Sequence, residues 1–240
     1  MQIQFGANNR LVCFYSNLPP TKAVDGMENC MFPKKARCRR KIEQFQEQAP
    51  SLDEIWSLIQ KSPNKTDTLK EVESRTVTLL GLWGAYRYRH GPRNERFLTQ
   101  LFSHKHVANA FFEIVSVTKR TGRLHSILKH EDAINALYDF MKCSIFSAKE
   151  PARIVTVSKA LLMVAGFSVG LDSSVLEKIK LANPYALACP GVWPFCLYFE
   201  TLEFLADQQE IWESKYGPMV NLCPGVPIGQ VMDRVLWESG

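Results

Sequence analysis

From residue 51 to residue 212 the apolar side chains return every three or four positions, in one stretch after another, and seldom at every second position. That period puts side chains on one face of an α-helix, whereas a half-buried strand needs alternation. Leu52, Ile55, Trp56 and Ile59 form the first stripe, introduced by Ser51 with Glu54 three residues on, the spacing of a capping box. The next starts near Asp67, carries Leu69, Val72, Thr76, Leu79, Leu80 and Trp83, and can run no further than Gly91 and Pro92. Further stripes are Phe97, Leu98, Leu101 and Phe102; Val107, Ala110, Phe111, Ile114 and Val115; and Ile134, Leu137, Tyr138 and Met141. Pro151 suits a first helical turn, and Ile154, Leu161, Val164 and Ala165 follow it. Asp172 is placed to cap a short helix, and a last one spans Phe195 to Trp212.

The expectation is an all-α protein of about eight helices, arranged as two helical lobes. The lobes are residues 42–150 and 151–240, with a hinge near 119–123 or 147–151. The Gly- and Pro-rich run YGPMVNLCPGVPIG reads as a loop, and the chain beyond it as a tail. Residues 1–41 read as an N-terminal arm, in which the short patches IQF and LVCFY favour extended chain, ending in the charge block Lys34 to Lys41. With 240 residues, 46% of them apolar, the chain has enough material for a full core.

The seven cysteines, an odd number without paired spacing, fit a reducing compartment in which thiols act as small apolar groups. The N-terminus lacks the charged start and apolar run of a signal peptide, and no stretch approaches the roughly twenty apolar residues of a membrane span. The expectation is a cytosolic protein.

Little in the sequence supports catalysis. Residues 166–170, GFSVG, match the nucleophile-elbow pattern, yet no histidine follows Ser168 and the preceding pattern is helical, so these glycines are expected to end a helix. His104 and His106 lack the further ligands a zinc site needs, and Glu71 and Glu73 read as a solvated helix face. There is no glycine-rich phosphate loop or dinucleotide fingerprint. The expectation is a non-enzyme without metal or cofactor.

Charge is the informative property. Between Ala85 and His130 nine Lys or Arg stand against Glu95 and Glu113, and all five histidines lie there. Beyond Phe199 the balance reverses, with Glu200, Glu203, Asp207, Glu210, Glu213, Asp233 and Glu238 against Lys215 and Arg234. A basic middle points to an anionic partner. In GLWGAYRYRHGPR, residues 81–93, Tyr86 and Tyr88 offer flat faces for base stacking, while Arg87, Arg89, Arg93 and the nearby Arg96 offer phosphate contacts. The same residues also suit the C-terminal turn of a helix, where basic groups complement the dipole. Lys119, Arg120 and Arg123 form a second cluster around Gly122, and the two clusters could wall one groove. Lys34, Lys35, Arg37, Arg39 and Arg40 make a third, open to reading as an RNA or oligomerisation arm, a nuclear localisation signal or a solvated helix start.

The run RKIEQFQEQAPSLDEIWSLIQKSPNKTDTLKEVESRTVTLLGLWGAYRYRHGP resembles the N-terminal half of nucleoproteins of the phenuivirus family, of phlebovirus and tenuivirus type, from segmented negative-strand RNA viruses. RIVTVSKALLMVAGFSV is similar to the helix that opens their C-terminal lobe, with Thr156 and Lys159 at the positions of its threonine and basic residue. NPYALACPGVWPF falls where that family has a Pro-containing loop before a long helix. The resemblance implies two helical lobes around a positive cleft that binds genomic single-stranded RNA without sequence preference, with the loop Tyr86 to Arg93 and Lys159 on the RNA. It implies an N-terminal arm that docks on the next subunit, giving homo-oligomeric rings or filaments in the virion and host cytoplasm, with a viral polymerase as a further candidate partner. Two other readings stay open: a matrix or filamentous coat protein, and a cellular all-α adaptor that binds peptides.

Overall fold

The computed structural model of the chain describes residues 30–48, 51–61, 66–83, 96–145, 151–183 and 191–237. Among these residues there are eleven α-helices and no strand, so the all-α expectation holds. The helices are α1 (Lys35–Gln48), α2 (Ser51–Lys61), α3 (Thr66–Leu82), α4 (Phe97–Ser103), α5 (Lys105–Arg120), α6 (Leu124–Leu128), α7 (Glu131–Ser144), α8 (Ile154–Ala165), α9 (Ser173–Ala182), α10 (Phe195–Tyr216) and α11 (Ile228–Leu236). A 3₁₀ turn, Met219–Leu222, separates the last two.

The apolar stripes do what their spacing dictates. Leu52, Ile55, Trp56 and Ile59 of α2, and Ile134, Leu137, Tyr138 and Met141 of α7, are all buried. Each fully buried Leu or Ile contributes about 1.5–3 kcal/mol of transfer free energy. α8 stands at the centre, against α2, α3, α5, α7 and α11. It is apolar almost all round, as a helix covered on every side must be; Val155 alone among its residues keeps intermediate exposure. The buried side chains of α1 through α11 form one continuous core.

Helix ends follow local chemistry. Gly166 closes α8 with φ +72°, a left-handed conformation that glycine adopts without strain, and Asp172 accepts from the Val175 amide at 3.1 Å to cap α9. Ser168 is fully buried, donating to the Val169 carbonyl and accepting from the Tyr198 hydroxyl at 2.9 Å. Of the two glycines of GFSVG, Gly166 ends the helix, and Gly170 donates its amide to Asp233 at 2.7 Å.

Four local expectations need correction. Lys35 to Lys41, placed in the arm with a helix start as one of three open readings, are the first turns of α1, because Cys38, Ile42 and Phe45 supply a buried stripe beneath the charges. Glu73, read as solvated, is 2% exposed. Its carboxylate accepts from the Thr99 amide at 2.6 Å and the Thr99 hydroxyl at 2.9 Å. Glu73 thus caps the first turn of α4, where unpaired amides and the positive end of the helix dipole favour an anion. α10 runs one turn past Trp212, to Tyr216. Finally, the tail folds: Ile228, Val231, Met232, Val235 and Leu236 bury the face of α11 against α8, α1 and the 3₁₀ turn. The expected arm before residue 30 lies outside the described residues.

Candidate nucleic-acid interface

The turn between α5 and α6 carries Lys119, Arg120 and Arg123, all exposed. Its backbone is clamped by α10. The buried amide of Gln209 donates to the Gly122 carbonyl at 2.7 Å and accepts from the Leu124 amide at 2.9 Å. The same amide nitrogen donates to Glu213 at 2.7 Å, and Glu213 also accepts from the Met219 amide at 2.8 Å. A Cβ at residue 122 would lie 2.7 Å from both methyl groups of Val220, so any other residue there forces the Val220 side chain to move. The Gln209 bonds hold the 119–123 segment, one of the two expected hinge positions, against α10, and its three cations stand exposed beside them. Arg123 lies 4.0 Å from Glu213, with its side chain 69% exposed. Lys119 reaches the carbonyl of Gln60 at 3.4 Å, by the C-terminus of α2, where a cation complements the dipole.

The α1 cluster divides into anchors and exposed groups. Lys35 donates to the Tyr216 carbonyl at 3.0 Å and Lys41 to the Trp237 carbonyl at 3.0 Å, closing the C-termini of α10 and α11. Cys38 points inward, donating to the Pro33 carbonyl at 3.1 Å, and burial pushes its thiol up to about 11. Lys34, Arg37, Arg39 and Arg40 remain exposed. Residues 31–33 are strapped to α10 as well: Gln208 accepts from the Met31 amide at 2.9 Å, and the Trp212 indole donates to the Pro33 carbonyl at 2.9 Å. The two basic segments thus meet neighbouring faces of the same final turns of α10, a juxtaposition that sequence spacing does not reveal.

Other expected contacts lie elsewhere. Tyr86, Arg87, Tyr88, Arg89 and Arg93 are outside the described residues. Arg96 borders an open cleft on α3 with Lys70, Glu73, Ser74, Val77, Thr78 and Thr99. Lys159, placed on the RNA by resemblance, is turned inward: it is 8% exposed, pairs with Asp172 at 3.1 Å and lies 5.4 Å from the centre of the Trp83 ring. It cannot share a surface with Lys119, Arg120 and Arg123 in this arrangement, because α8, which carries it, is buried.

The middle of α10 is acidic, with Glu200, Glu203, Asp207 and Glu210. Burial, with Asp207, Glu131 and Glu200 nearby, raises the carboxyl of Glu203, and His125 sits 3.0 Å from Asp207 and 3.9 Å from Glu210. His104 and His106 hold their rings 6.4 Å apart beside Phe140. Among the described residues no group of three or more His, Cys, Asp or Glu is arranged to hold a metal ion, and no helix is long and apolar enough to cross a membrane. The chain matches no protein-family model, and neither a curated protein nor a solved structure is similar to it.

Proposed function

We propose that the protein is a nucleoprotein that coats single-stranded RNA without sequence preference and assembles with copies of itself. The observation that carries this reading is the placement of Lys119, Arg120 and Arg123 on a clamped turn beside the α1 cations, both held by the end of α10. Phosphates are bound by exposed, pre-positioned cations, and bases stack on Tyr86 and Tyr88. Arg87, Arg89, Arg93 and Arg96 extend the phosphate track, and Lys34, Arg37, Arg39 and Arg40 add to it. In this reading the chain before residue 30 is an arm that reaches a neighbouring copy, and the acidic residues Asp207 and Glu210 of α10, held beside His125, border the RNA path on one side of the basic turn. The protein works in the virion and host cytoplasm.

The test is fluorescence anisotropy of a labelled 20-nucleotide oligouridine across a salt series. About five phosphate contacts give a log–log slope of roughly −3 to −4, at about 0.7 per contact on single strands. A slope near zero removes the RNA reading. Binding to acidic liposomes in preference to RNA replaces it with a matrix role, and a monomer that binds neither points to the peptide adaptor.

A further inference from the structure

A cavity of about 220 Å³ opens where α1, α3, α8, α9 and α11 come together, lined by Phe45, Trp83, Lys159, Asp172, Asp233 and Trp237. It has room for about seven waters at roughly 30 Å³ each, and falls below the roughly 300 Å³ at which pockets for drug-sized molecules begin. A nucleotide is too large for it. A group the size of one long side chain fits.

The chemistry of the wall is mixed in an uncommon way. Three aromatic rings, Phe45, Trp83 and Trp237, stand around a carboxylate that is 8% exposed, Asp233. One oxygen of Asp233 accepts from the Gly170 amide at 2.7 Å, and the other has no hydrogen-bond partner among the described residues. Asp172 is committed, one oxygen capping α9 and the other paired with Lys159. Of the charged groups that line the space, two carboxylates face one ammonium, Lys159, which pairs with Asp172 at 3.1 Å and, with the neighbouring Arg234, also pulls on Asp233. The cations around the cavity are also engaged: Arg234 with Asp53, and Lys41 and Lys178 with the carbonyls of Trp237 and Leu236. The aromatic walls already attract cations from within the protein, Lys159 at 5.4 Å from Trp83 and Arg234 at 5.3 Å from Phe45.

We propose that this cavity binds a guanidinium or alkylammonium group, which donates to the unpartnered oxygen of Asp233 and rests against Trp83 and Trp237. An anion is disfavoured by the two carboxylates, and a neutral apolar group would leave the Asp233 oxygen without a donor. The same chemistry comes from a free small amine or from an arginine or lysine side chain of another chain.

The test uses the full chain labelled with ¹⁵N, followed by the tryptophan indole signals during titration with ethylguanidinium, with ethylurea as the neutral isostere. The expected result is a saturable shift of the Trp83 and Trp237 signals with ethylguanidinium and binding at least tenfold weaker with ethylurea. Asp233→Asn and Trp83→Leu each weaken ethylguanidinium at least tenfold. Because burial pushes Asp233 up to about 6, lowering the pH from 7.5 to 5 leaves about a tenth of it ionised and weakens binding about tenfold. Equal binding of the two probes, or unchanged binding in a folded Trp83→Leu protein, overturns the proposal. Agmatine and N-acetylarginine methylamide separate the sources: a site for free amines favours agmatine, and one for a partner's side chain takes the peptide-like probe at least as well.

Discussion

Gln209 and Gly122, 87 residues apart, are joined by a 2.7 Å hydrogen bond that fixes the shape of the basic turn. Gln209→Ala leaves the Gly122 carbonyl and the Leu124 amide without this partner in a largely buried place. Loss of buried partners costs about 1–3 kcal/mol per group, so a decrease of roughly 2–6 kcal/mol in unfolding free energy is expected from urea titration. Gln209→Glu fares no better, since a carboxylate cannot donate to Gly122 and would face Glu213.

If the turn holds RNA, the triple substitution Lys119→Ala, Arg120→Ala and Arg123→Ala shallows the log–log salt slope by about 2, at roughly 0.7 for each lost phosphate contact. Lys159→Ala leaves the slope unchanged, because that ammonium serves Asp172. Anisotropy with oligouridine at several salt concentrations reads both. A Lys159 variant with a shallower slope would return that residue to the RNA.

Arg234 is fully buried on α11 and pairs with Asp53 of α2. Asp53→Ala removes the carboxylate partner of a buried guanidinium, and because Asp53 itself is 40% exposed the expected cost is about 2–3 kcal/mol, below the roughly 3–5 of a fully buried pair, whereas Asp53→Leu with Arg234→Met stays within about 1–2 kcal/mol of the parent, since an apolar pair has no charge to desolvate. Urea unfolding of the single and double variants decides. Equal loss in both would mean that the pair contributes through packing alone.

Asp233 gives the fold a pH signature. Burial raises its carboxyl from 3.8 to about 6, against the pull of the Gly170 amide and Lys159. The folded state therefore holds the proton more tightly than the unfolded chain. Its contribution to stability is full below pH 3.8 and is lost as pH rises through about 6. Two pKa units correspond to about 3 kcal/mol. Asp233→Asn keeps an acceptor for Gly170 and does not titrate, so its stability relative to the parent rises by up to about 3 kcal/mol between pH 4 and 7, measured by urea unfolding at each pH. A constant difference across that range would show that Asp233 ionises normally.

What could be read from the sequence was whatever depends on a local period. The stripes of α2, α5 and α7 bury as their spacing requires, and Gly166 and Asp172 end and begin helices as their chemistry requires. Where strong local signals of another kind overlie the period, the reading failed. Six charges in eight residues concealed the Cys38, Ile42 and Phe45 stripe, and the Gly–Pro run before Ile228 concealed α11, although Ile228, Val231, Met232, Val235 and Leu236 have helical spacing. Tertiary facts were out of reach. Glu73 and Lys159 are charged residues whose burial depends on partners twenty-six and thirteen residues away, and nothing near Gln209 in sequence marks it as the holder of a turn on another helix. Asp233 and Arg234, two adjacent charges among apolar residues at helical spacing, are the feature of the sequence that could have marked the cavity wall.

The position of α11 has a bearing on how the protein comes into being. Its Gly229 amide donates to the Gly166 carbonyl, and a Cβ at residue 229 would lie 2.3 Å from the Ser168 carbonyl oxygen, so backbone meets backbone there. During synthesis on the ribosome, α1, α2 and α8 emerge long before residues 228–236 do, and the nascent chain carries an uncovered apolar seam until they arrive. Final closure is then a late event, and a stalled or prematurely released chain would present that seam to chaperones or to other unfinished copies.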